Sequence, residues 1–135
     1  MPEIIVLDTH IWLWLIHGKN HLFPTHWQEI FELTPKLAVS PVSCYEIALA
    51  VKKGRITLSK TVPEWFNSAL ELAGIELLPI NEIVANLAVE LSPIHKDPFD
   101  RLIIATALAN NAQLASVDDK FPLYPELATV LLSKT

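Results

Sequence analysis

A chain of 135 residues, 51% of them apolar and with a net charge of −5, suits one globular domain, which we expect to span residues 1–135. The charge argues against a broad nucleic-acid-binding surface, and the single cysteine, Cys44, excludes an internal disulfide. The longest apolar runs are too short to cross a membrane, and the N-terminal stretch lacks the basic segment of a signal peptide, so we expect a soluble cytoplasmic protein.

Apolar runs of strand type alternate with helical stretches along the chain. The strand-like runs are EIIVL (3–7), LAVS (37–40), IELLP (75–79), QLAS (113–116) and ATVLL (128–132). The first and last of these runs are continuously apolar and do not alternate, which is typical of strands that are covered on both faces, as in parallel sheets. Each of the three glycines, Gly18, Gly54 and Gly74, follows a helical stretch, where glycine tolerates the left-handed conformation that ends a helix. The order predicts an α/β fold with a parallel sheet of about five strands and right-handed crossovers.

Residues that commonly cap helix N-termini precede the helical stretches. The candidate caps are Thr25, Ser43, Thr61, Asn81 and Asp97. Ser43 with Glu46, and Thr61 with Glu64, have the spacing of a capping box, in which two side chains and two backbone N–H groups bond reciprocally. These residues predict that a helix begins directly after each cap.

Four acidic residues are expected at one edge of the predicted sheet. Asp8 directly follows the first strand, and Asp118 follows the fourth by two residues. Glu46 and Asp100 lie in the first turns of the helices that follow the second strand and precede the fourth. The carboxyl ends of parallel strands and the starts of the following helices share one edge, and ligands bind there where the strand order reverses.

Each of these acids also has a purely structural explanation. Asp8 or its neighbour Thr9 could cap the first helix, Glu46 could complete its capping box, and Asp118 could belong to a turn. Asp100 could interact only with the helix dipole. Asp97 needs no other explanation than capping.

Asp100 is the acid that a structural role explains least well. Ile103 and Ile104 follow it by one helical turn, so Asp100 shares a face with the core, and burying an unpaired carboxylate costs far more than a dipole contact returns. Arg101 faces away on the helix, and no lysine or arginine is placed to neutralise the other acids. A divalent cation is the simplest counter-charge, and carboxylate ligands without a histidine or cysteine set favour Mg²⁺ or Mn²⁺.

Acidic clusters around such a cation commonly serve phosphate chemistry, in which the metal activates water and offsets charge on the phosphate. Basic residues should then hold the polyanion nearby. Six of the ten basic residues lie in two short segments: Lys52, Lys53, Arg55 and Lys60, then Lys96 and Arg101. A solvated surface is the alternative explanation for these charges.

Four blocks of the sequence resemble the PIN-domain ribonucleases, in particular the VapC-like toxins of bacterial toxin–antitoxin pairs. The blocks are VLDTHIWLW, SPVSCYEIALAVKKGRI, HKDPFDRLIIATAL and LASVDDKF, in family order over nearly the whole chain. The resemblance implies a three-layer α/β/α sandwich and RNA cleavage that depends on Mg²⁺ or Mn²⁺. It carries the family's catalytic, metal-holding acids over to Asp8, Glu46, Asp100 and Asp118, and supporting roles to Thr9, Ser116 and Arg101.

The resemblance also implies partners. VapC-like toxins typically form homodimers and bind a small antitoxin, which would cover the surplus of apolar surface that a mean hydropathy of +0.35 suggests. Trp12, Trp14, Trp27 and Trp65 are candidates for such contacts, because tryptophan is enriched at interfaces. Burial in the core is the alternative for all four.

Three other functions remain open at this point. The first is a PIN-domain nuclease that processes RNA outside a toxin–antitoxin pair. The second is a phosphotransfer protein with Asp8 as acceptor, although VLDTH lacks the paired acids that such proteins carry. The third is a non-catalytic α/β interaction module whose acids are only caps.

Overall fold

A four-stranded parallel sheet forms the centre of the protein in the computed structural model, which describes residues 3–135, so that Met1 and Pro2 of the expected domain lie outside it. The strands are β1 (Ile4–Leu7), β2 (Lys36–Val39), β3 (Ile75–Leu77) and β4 (Gln113–Ala115), in the order β3-β2-β1-β4. They coincide with the first four predicted runs. The predicted α/β class with a parallel sheet is confirmed.

The fifth predicted strand, 128–132, is wrong as a strand. Its backbone pairs with β4 only at Leu114, through a single bridge to Leu131. The cause lies just upstream, where two 3-10 turns, Phe121–Leu123 and Pro125–Leu127, run into a further turn at 128–130. Too few residues then remain extended beside β4 to form a ladder.

The helices lie between the strands and carry the sheet's crossovers. They are α1 (Thr9–Ile16), α2 (His26–Leu33), α3 (Pro41–Lys52), α4 (Val62–Asn67), α5 (Glu82–Glu90) and α6 (Pro98–Ala109). A π-helical turn, Ser68–Leu72, continues α4. The glycines that follow α1, α3 and this turn all have φ near +70°, as expected at helix ends. None of the helices in the described part of the chain has the length and hydropathy that a membrane crossing requires.

Most of the predicted caps are confirmed, and one is wrong. Thr61 and Glu64 form the expected capping box, and Asn81 and Asp97 each accept a backbone N–H of their helix. Thr25 precedes α2 without a side-chain hydrogen bond. Ser43 caps nothing, because α3 begins at Pro41, three residues earlier than predicted.

Ser40 is the residue that caps α3. Its hydroxyl accepts a hydrogen bond from the N–H of Val42 at 3.2 Å. Pro41 then occupies the first helical position, where its missing N–H leaves no bond unmade. Ser43 therefore lies inside the first turn of the helix and is fully buried.

Two hydrophobic cores lie on opposite faces of the sheet. Successive side chains of a strand point to opposite faces, so Ile5 and Leu7 of β1 join one core and Val6 joins the other. The first core takes helices α1 to α4. The second takes α6 with Phe121 and Tyr124. Helices on both faces confirm the three-layer α/β/α arrangement.

Three of the four tryptophans are core residues. Trp12 and Trp27 are fully buried in the first core, and Trp65 is nearly so. The suggestion that they serve as partner contacts is therefore wrong for these three. Trp14 is only partly buried and faces a cleft beside the acids.

Candidate active site

Asp8 links the ends of the neighbouring strands β1 and β4. Its Oδ1 accepts the N–H of Thr9 at 2.8 Å, which makes Asp8 the N-cap of α1. Its Oδ2 accepts the hydroxyl of Ser116 at 2.6 Å, just beyond β4. The backbone N–H of Asp8 also donates to the carbonyl of Ala115 at 3.0 Å. The capping explanation for Asp8 is therefore correct for one oxygen, and the other oxygen points across to β4.

Glu46 is held by hydroxyl groups and not by a capping box. The hydroxyl of Thr9 donates to Glu46 Oε1 at 2.6 Å. The same hydroxyl lies 2.7 Å from that of Ser43, so Ser43, Thr9 and Glu46 form a short chain of side chains between α1 and α3. Because α3 starts before Ser43, the structural explanation for Glu46 is wrong. Its carboxylate faces the end of β1.

Asp118 has a structural role as well as a place at the site. Its Oδ1 accepts the N–H of Lys120 at 2.8 Å, which closes the turn that was one explanation for it. Its own N–H donates to Ser116 Oγ at 3.1 Å. Ser116 thus bonds to both Asp8 and the Asp118 backbone, and it sets the distance between the ends of β1 and β4.

Asp100 is the most perturbed of the four acids. Burial raises its pKa from 3.8 to about 7, with further contributions from the negative charges of Asp97, Asp8, Asp118 and Glu46. Asp100 therefore lies close enough to the other predicted acids to be repelled by each of them. The helix α6 brings its first turn to the carboxyl edge of the sheet, which the sequence could not establish.

Asp8 and Glu46 show the same effect of burial and of neighbouring charge. Burial raises the pKa of Asp8, and the hydrogen bond from Ser116 opposes this rise. Burial likewise raises the pKa of Glu46, to which the charge of Asp8 adds. Among residues 3–135 the lysine or arginine that forms an ion pair is Lys36, with Glu76, so no lysine or arginine of that range is paired with the four acids.

The four acids fit a hard divalent cation by charge and by donor type. They do not form a preformed cage, because in the described range no three Asp, Glu, His or Cys side chains are grouped so that they could hold a metal ion. The hydrogen bonds explain the difference. Asp8 and Glu46 are turned towards the hydroxyls of Ser116 and Thr9, and a cation would compete for the same carboxylate oxygens.

Two clefts flank the acids and share His10. One has a volume of about 220 Å³ and is lined by Asp8, Asp118, Trp14 and neighbouring apolar residues. The other has a volume of about 350 Å³ and carries Glu46 and Arg55 in its walls. Of the first basic segment, Lys52 to Lys60, Arg55 is thus the residue that lines a cleft beside the acids.

Arg101 faces away from the acids, as expected, and anchors the scaffold. Its guanidinium group donates to a set of backbone carbonyls at the end of α5 and in the following loop: those of Ala88, Val89, Leu91, Ser92 and His95. These bonds satisfy carbonyls that the end of a helix leaves free. Any support that Arg101 gives to the site therefore passes through the backbone.

Two features beside the acids were not identified from the sequence. The ring of His95 lies within 3.7 Å of Asp100 Oδ2 and is largely buried. Tyr45 and Phe99, each directly before one of the acids, pair with ring centroids 5.2 Å apart, and Tyr45 is 56% exposed. For Tyr45 and Phe99 the only signal in the sequence was that each directly precedes one of the acids. This adjacency does not tell in which direction a side chain points from a helix.

The fold and site together define a three-layer α/β/α domain with clustered acids where the order of its parallel strands reverses. The model of the PIN domain matches residues 5–127, and the chain belongs to this family. The resemblance inferred from the four sequence blocks is therefore confirmed.

Individual relatives agree with this assignment. The chain is 33% identical to Ribonuclease VapC22 of Mycobacterium tuberculosis over 115 residues, 84% of this chain and 86% of that protein. The structure of VapBC2 from Rickettsia felis bound to a promoter DNA fragment matches with a TM-score of 0.68 at 23% identity, over 96% of this chain and 97% of that one. A toxin–antitoxin complex from Klebsiella pneumoniae matches with a TM-score of 0.66 at 19% identity, over 97% and 98%. The two structures confirm the fold.

Proposed function

We propose that this protein is an endoribonuclease that hydrolyses RNA phosphodiester bonds with Mg²⁺ or Mn²⁺, and that it acts as the toxin of a toxin–antitoxin pair. The observation that carries the proposal is the gathering of acids at one edge of the sheet, where burial, together with the charges of the other acids, raises the pKa of Asp100 to about 7. The identity to a VapC ribonuclease supports the choice of RNA as substrate. We place the protein in the cytoplasm, where RNA and an antitoxin would be present.

The four acids Asp8, Glu46, Asp100 and Asp118 would hold the cation. When bound, the cation would offset charge on the phosphate and lower the pKa of the attacking water. The hydroxyl groups of Thr9 and Ser116 hold Glu46 and Asp8 at short distances, so they orient these carboxylates. Attack of water in line with the leaving oxygen breaks the P–O3′ bond and leaves a 3′-hydroxyl and a 5′-phosphate.

Single-stranded or looped RNA fits the surroundings of the acids. Arg55 lines the cleft beside Glu46 and can contact a phosphate. The exposed ring of Tyr45, paired with Phe99, offers a face on which an unstacked base can stack. Bases in a duplex are already stacked, so such a face favours loops and ends.

The partner follows from the names of the structural relatives and from the protein's own surface. One relative is VapBC2 and another a toxin–antitoxin complex, which supports a small antitoxin as partner of this chain. Several large apolar side chains are more than half exposed: Leu33, Leu72, Ile83, Val89 and Leu123. Such side chains suit contacts with an antitoxin and with a second copy of the chain in a homodimer.

The alternative functions have less support. A phosphotransfer role lacks the paired acids that such proteins carry, because VLDTH offers Asp8 alone. In a non-catalytic module the acids would serve only as helix caps. Glu46 and Asp100 cap no helix, so this alternative does not account for their positions. A PIN nuclease outside a toxin–antitoxin pair uses the same site, and only the partner distinguishes it.

The test of the enzymatic proposal is cleavage of an end-labelled RNA that contains a stable loop. We expect cleavage with Mn²⁺ or Mg²⁺, none in EDTA, and none with Asp8→Asn or Asp100→Asn. Asp119→Asn is the matched control, because Asp119 is an exposed neighbour to which we assign no role. Products should carry a 5′-phosphate that a 5′-monophosphate-dependent exonuclease degrades. Cleavage by Asp100→Asn at the wild-type rate would refute the proposal.

The test of the toxin role is growth. Expression of the chain should arrest bacterial growth, and co-expression of the small protein encoded beside it should restore growth and co-purify with the chain. Expression of Asp100→Asn should leave growth unchanged. Growth arrest that no neighbouring product relieves would favour RNA processing outside such a pair.

A further inference from the structure

We infer that His95 is a positioning residue for Asp100, whose carboxylate it aims by a hydrogen bond from Nε2 when the divalent cation is bound. The inference rests on the proposed function and adds a residue to it. His95 lies in the loop before α6, and the carboxylate that it faces lies in the first turn of that helix.

The position of the ring is set by contacts on several sides. It stacks on Phe121 with centroids 6.3 Å apart and planes 9° from parallel. It meets the ring of Tyr124 edge-on at 5.7 Å. The side chain is only 9% exposed. A ring held in this way has little freedom to turn, so the direction of its nitrogens is determined by the core.

The two ring nitrogens have different surroundings. Nδ1 accepts the backbone N–H of Asp97 at 3.4 Å, a long bond that requires a lone pair on Nδ1. With the lone pair on Nδ1, the ring carries its hydrogen on Nε2. Nε2 is buried and has no hydrogen-bond partner among residues 3–135, and its closest charged neighbour is Asp100 Oδ2 at 3.7 Å.

The unpaired Nε2 donor of His95 suggests that its hydrogen bond forms when the cation is bound. A buried donor without a partner is unfavourable by about 1–3 kcal/mol, so its persistence needs an explanation. A charge-assisted bond from nitrogen to a carboxylate is about 2.8 Å long, roughly 1 Å shorter than the gap seen here. A small rotation of Asp100 towards His95 would satisfy the donor and hold one carboxylate oxygen, which leaves the other oxygen directed at the cation.

His95 does not line either of the two clefts that flank the acids. Its ring packs on Phe121 and Tyr124, which belong to the second core. Ligand carboxylates are commonly hydrogen-bonded by residues behind them, and loss of such a residue typically lowers metal affinity about 10- to 100-fold. We therefore expect His95 to act on metal affinity through the orientation of Asp100.

Two substitutions separate the hydrogen bond from the packing. His95→Phe keeps an aromatic ring between Phe121 and Tyr124 but has no donor. His95→Gln loses the ring but can place an amide N–H near the position of Nε2. Mn²⁺ affinity is measured by electron paramagnetic resonance titration, with near-UV circular dichroism and a thermal melt in EDTA as checks on the fold. RNA cleavage is recorded separately.

We expect His95→Phe to bind Mn²⁺ about tenfold more weakly than wild type, and His95→Gln to stay within about threefold. Wild-type affinity in a folded His95→Phe would overturn the inference, as would equal weakening in both folded variants. These outcomes leave the proposed function intact, because the wild type would still bind Mn²⁺ and cleave RNA. A wild-type chain that binds no Mn²⁺ would overturn both.

A measurement on the wild type covers the case in which a variant fails to fold. Nitrogen-15 NMR of the histidine side chains in the Mg²⁺-free protein should show His95 with its hydrogen on Nε2. Addition of Mg²⁺ should move this proton downfield as the bond to Asp100 shortens. A hydrogen on Nδ1, or an Nε2 proton that does not respond to Mg²⁺, would overturn the inference.

Discussion

The crowded acids should lower the free energy of unfolding of the metal-free protein. Asp100→Asn, which removes one of the charges, should therefore be more stable than the wild type without metal. Asparagine has the shape of aspartate without its charge, so the substitution removes both the cost of burying the charge and the repulsion by the other acids, and it leaves packing unchanged. The pKa of Asp100 is 3.8 in an unperturbed chain and about 7 in the folded protein. The folded state therefore holds the proton more tightly than the unfolded state does.

The size of the effect follows from that difference. A gap of roughly three in pKa corresponds to about 4 kcal/mol if fully expressed. The Asp100 side chain is 21% exposed, so solvent screens part of the repulsion. We therefore expect Asp100→Asn to raise the free energy of unfolding by about 2 kcal/mol. Between these two pKa values the native state binds more protons than the unfolded state does. The stability contributed by protonated Asp100 is therefore lost as pH rises from about 4 to about 7. At pH 8 Asp100→Asn should show its full gain in the free energy of unfolding.

The assay is urea unfolding in EDTA at pH 4 and pH 8 for the wild type, Asp100→Asn and Asp119→Asn. At pH 8 Asp100→Asn should be the most stable, and at pH 4 it should approach the wild type. Mg²⁺ at a hundredfold excess over its dissociation constant should stabilise the wild type by about 2.7 kcal/mol. It should stabilise Asp100→Asn far less. An Asp100→Asn variant that is no more stable than the wild type at pH 8 would refute the reasoning about crowded charge.

Three further substitutions test the surroundings of the acids. Thr9→Val removes the hydroxyl that orients Glu46 and should lower the RNA cleavage rate at least about tenfold, while Thr9→Ser keeps the rate; a full rate in Thr9→Val would contradict that role. In Arg101→Lys the lysine cannot reach the same set of carbonyls, so the free energy of unfolding measured in urea should fall by about 2–3 kcal/mol. The affinity for Mn²⁺ should stay within threefold of wild type. A stable variant with weak Mn²⁺ binding would instead place Arg101 at the metal. Tyr45→Ala should raise the KM for RNA about tenfold in steady-state kinetics, with little change in kcat, and Tyr45→Phe should match the wild type; an unchanged KM in Tyr45→Ala would argue against base stacking.

Much of the fold could be predicted because its signals are local. The runs that became β1 to β4 are mostly apolar, and β1 is apolar along its whole length, as a strand covered on both faces requires. The end of β1 places Asp8 at the carboxyl edge whatever the rest of the chain does. Asp118 follows β4 in the same way. These two positions depend only on where each strand stops.

The predictions that failed depended on contacts between distant segments. Ser43 has the spacing of a capping residue, but Pro41 and Ser40 start the helix earlier, and its hydroxyl serves Thr9 on another helix. The run 128–132 is apolar enough for a strand, but the turns before it leave only one residue beside β4, at Leu131. In both cases other segments of the chain decided the outcome, and the local sequence pattern gives no information about them.

The sequence by itself determined that Asp8 and Asp118 follow strands and that Asp100 lies in the first turn of a helix, because hydrophobic periodicity and capping residues set those boundaries within each segment. It placed Glu46 in the first turn of α3 as well, but that helix begins at Pro41 and Glu46 lies in its second turn. Only the tertiary structure decided that Asp100 reaches the other acids and that the ring of His95 lies behind it. The physical reason is that the direction of a side chain at the end of a helix depends on how that helix packs on the sheet. That packing is set by contacts such as those of His95 with Phe121 and Tyr124, more than twenty residues away in the chain.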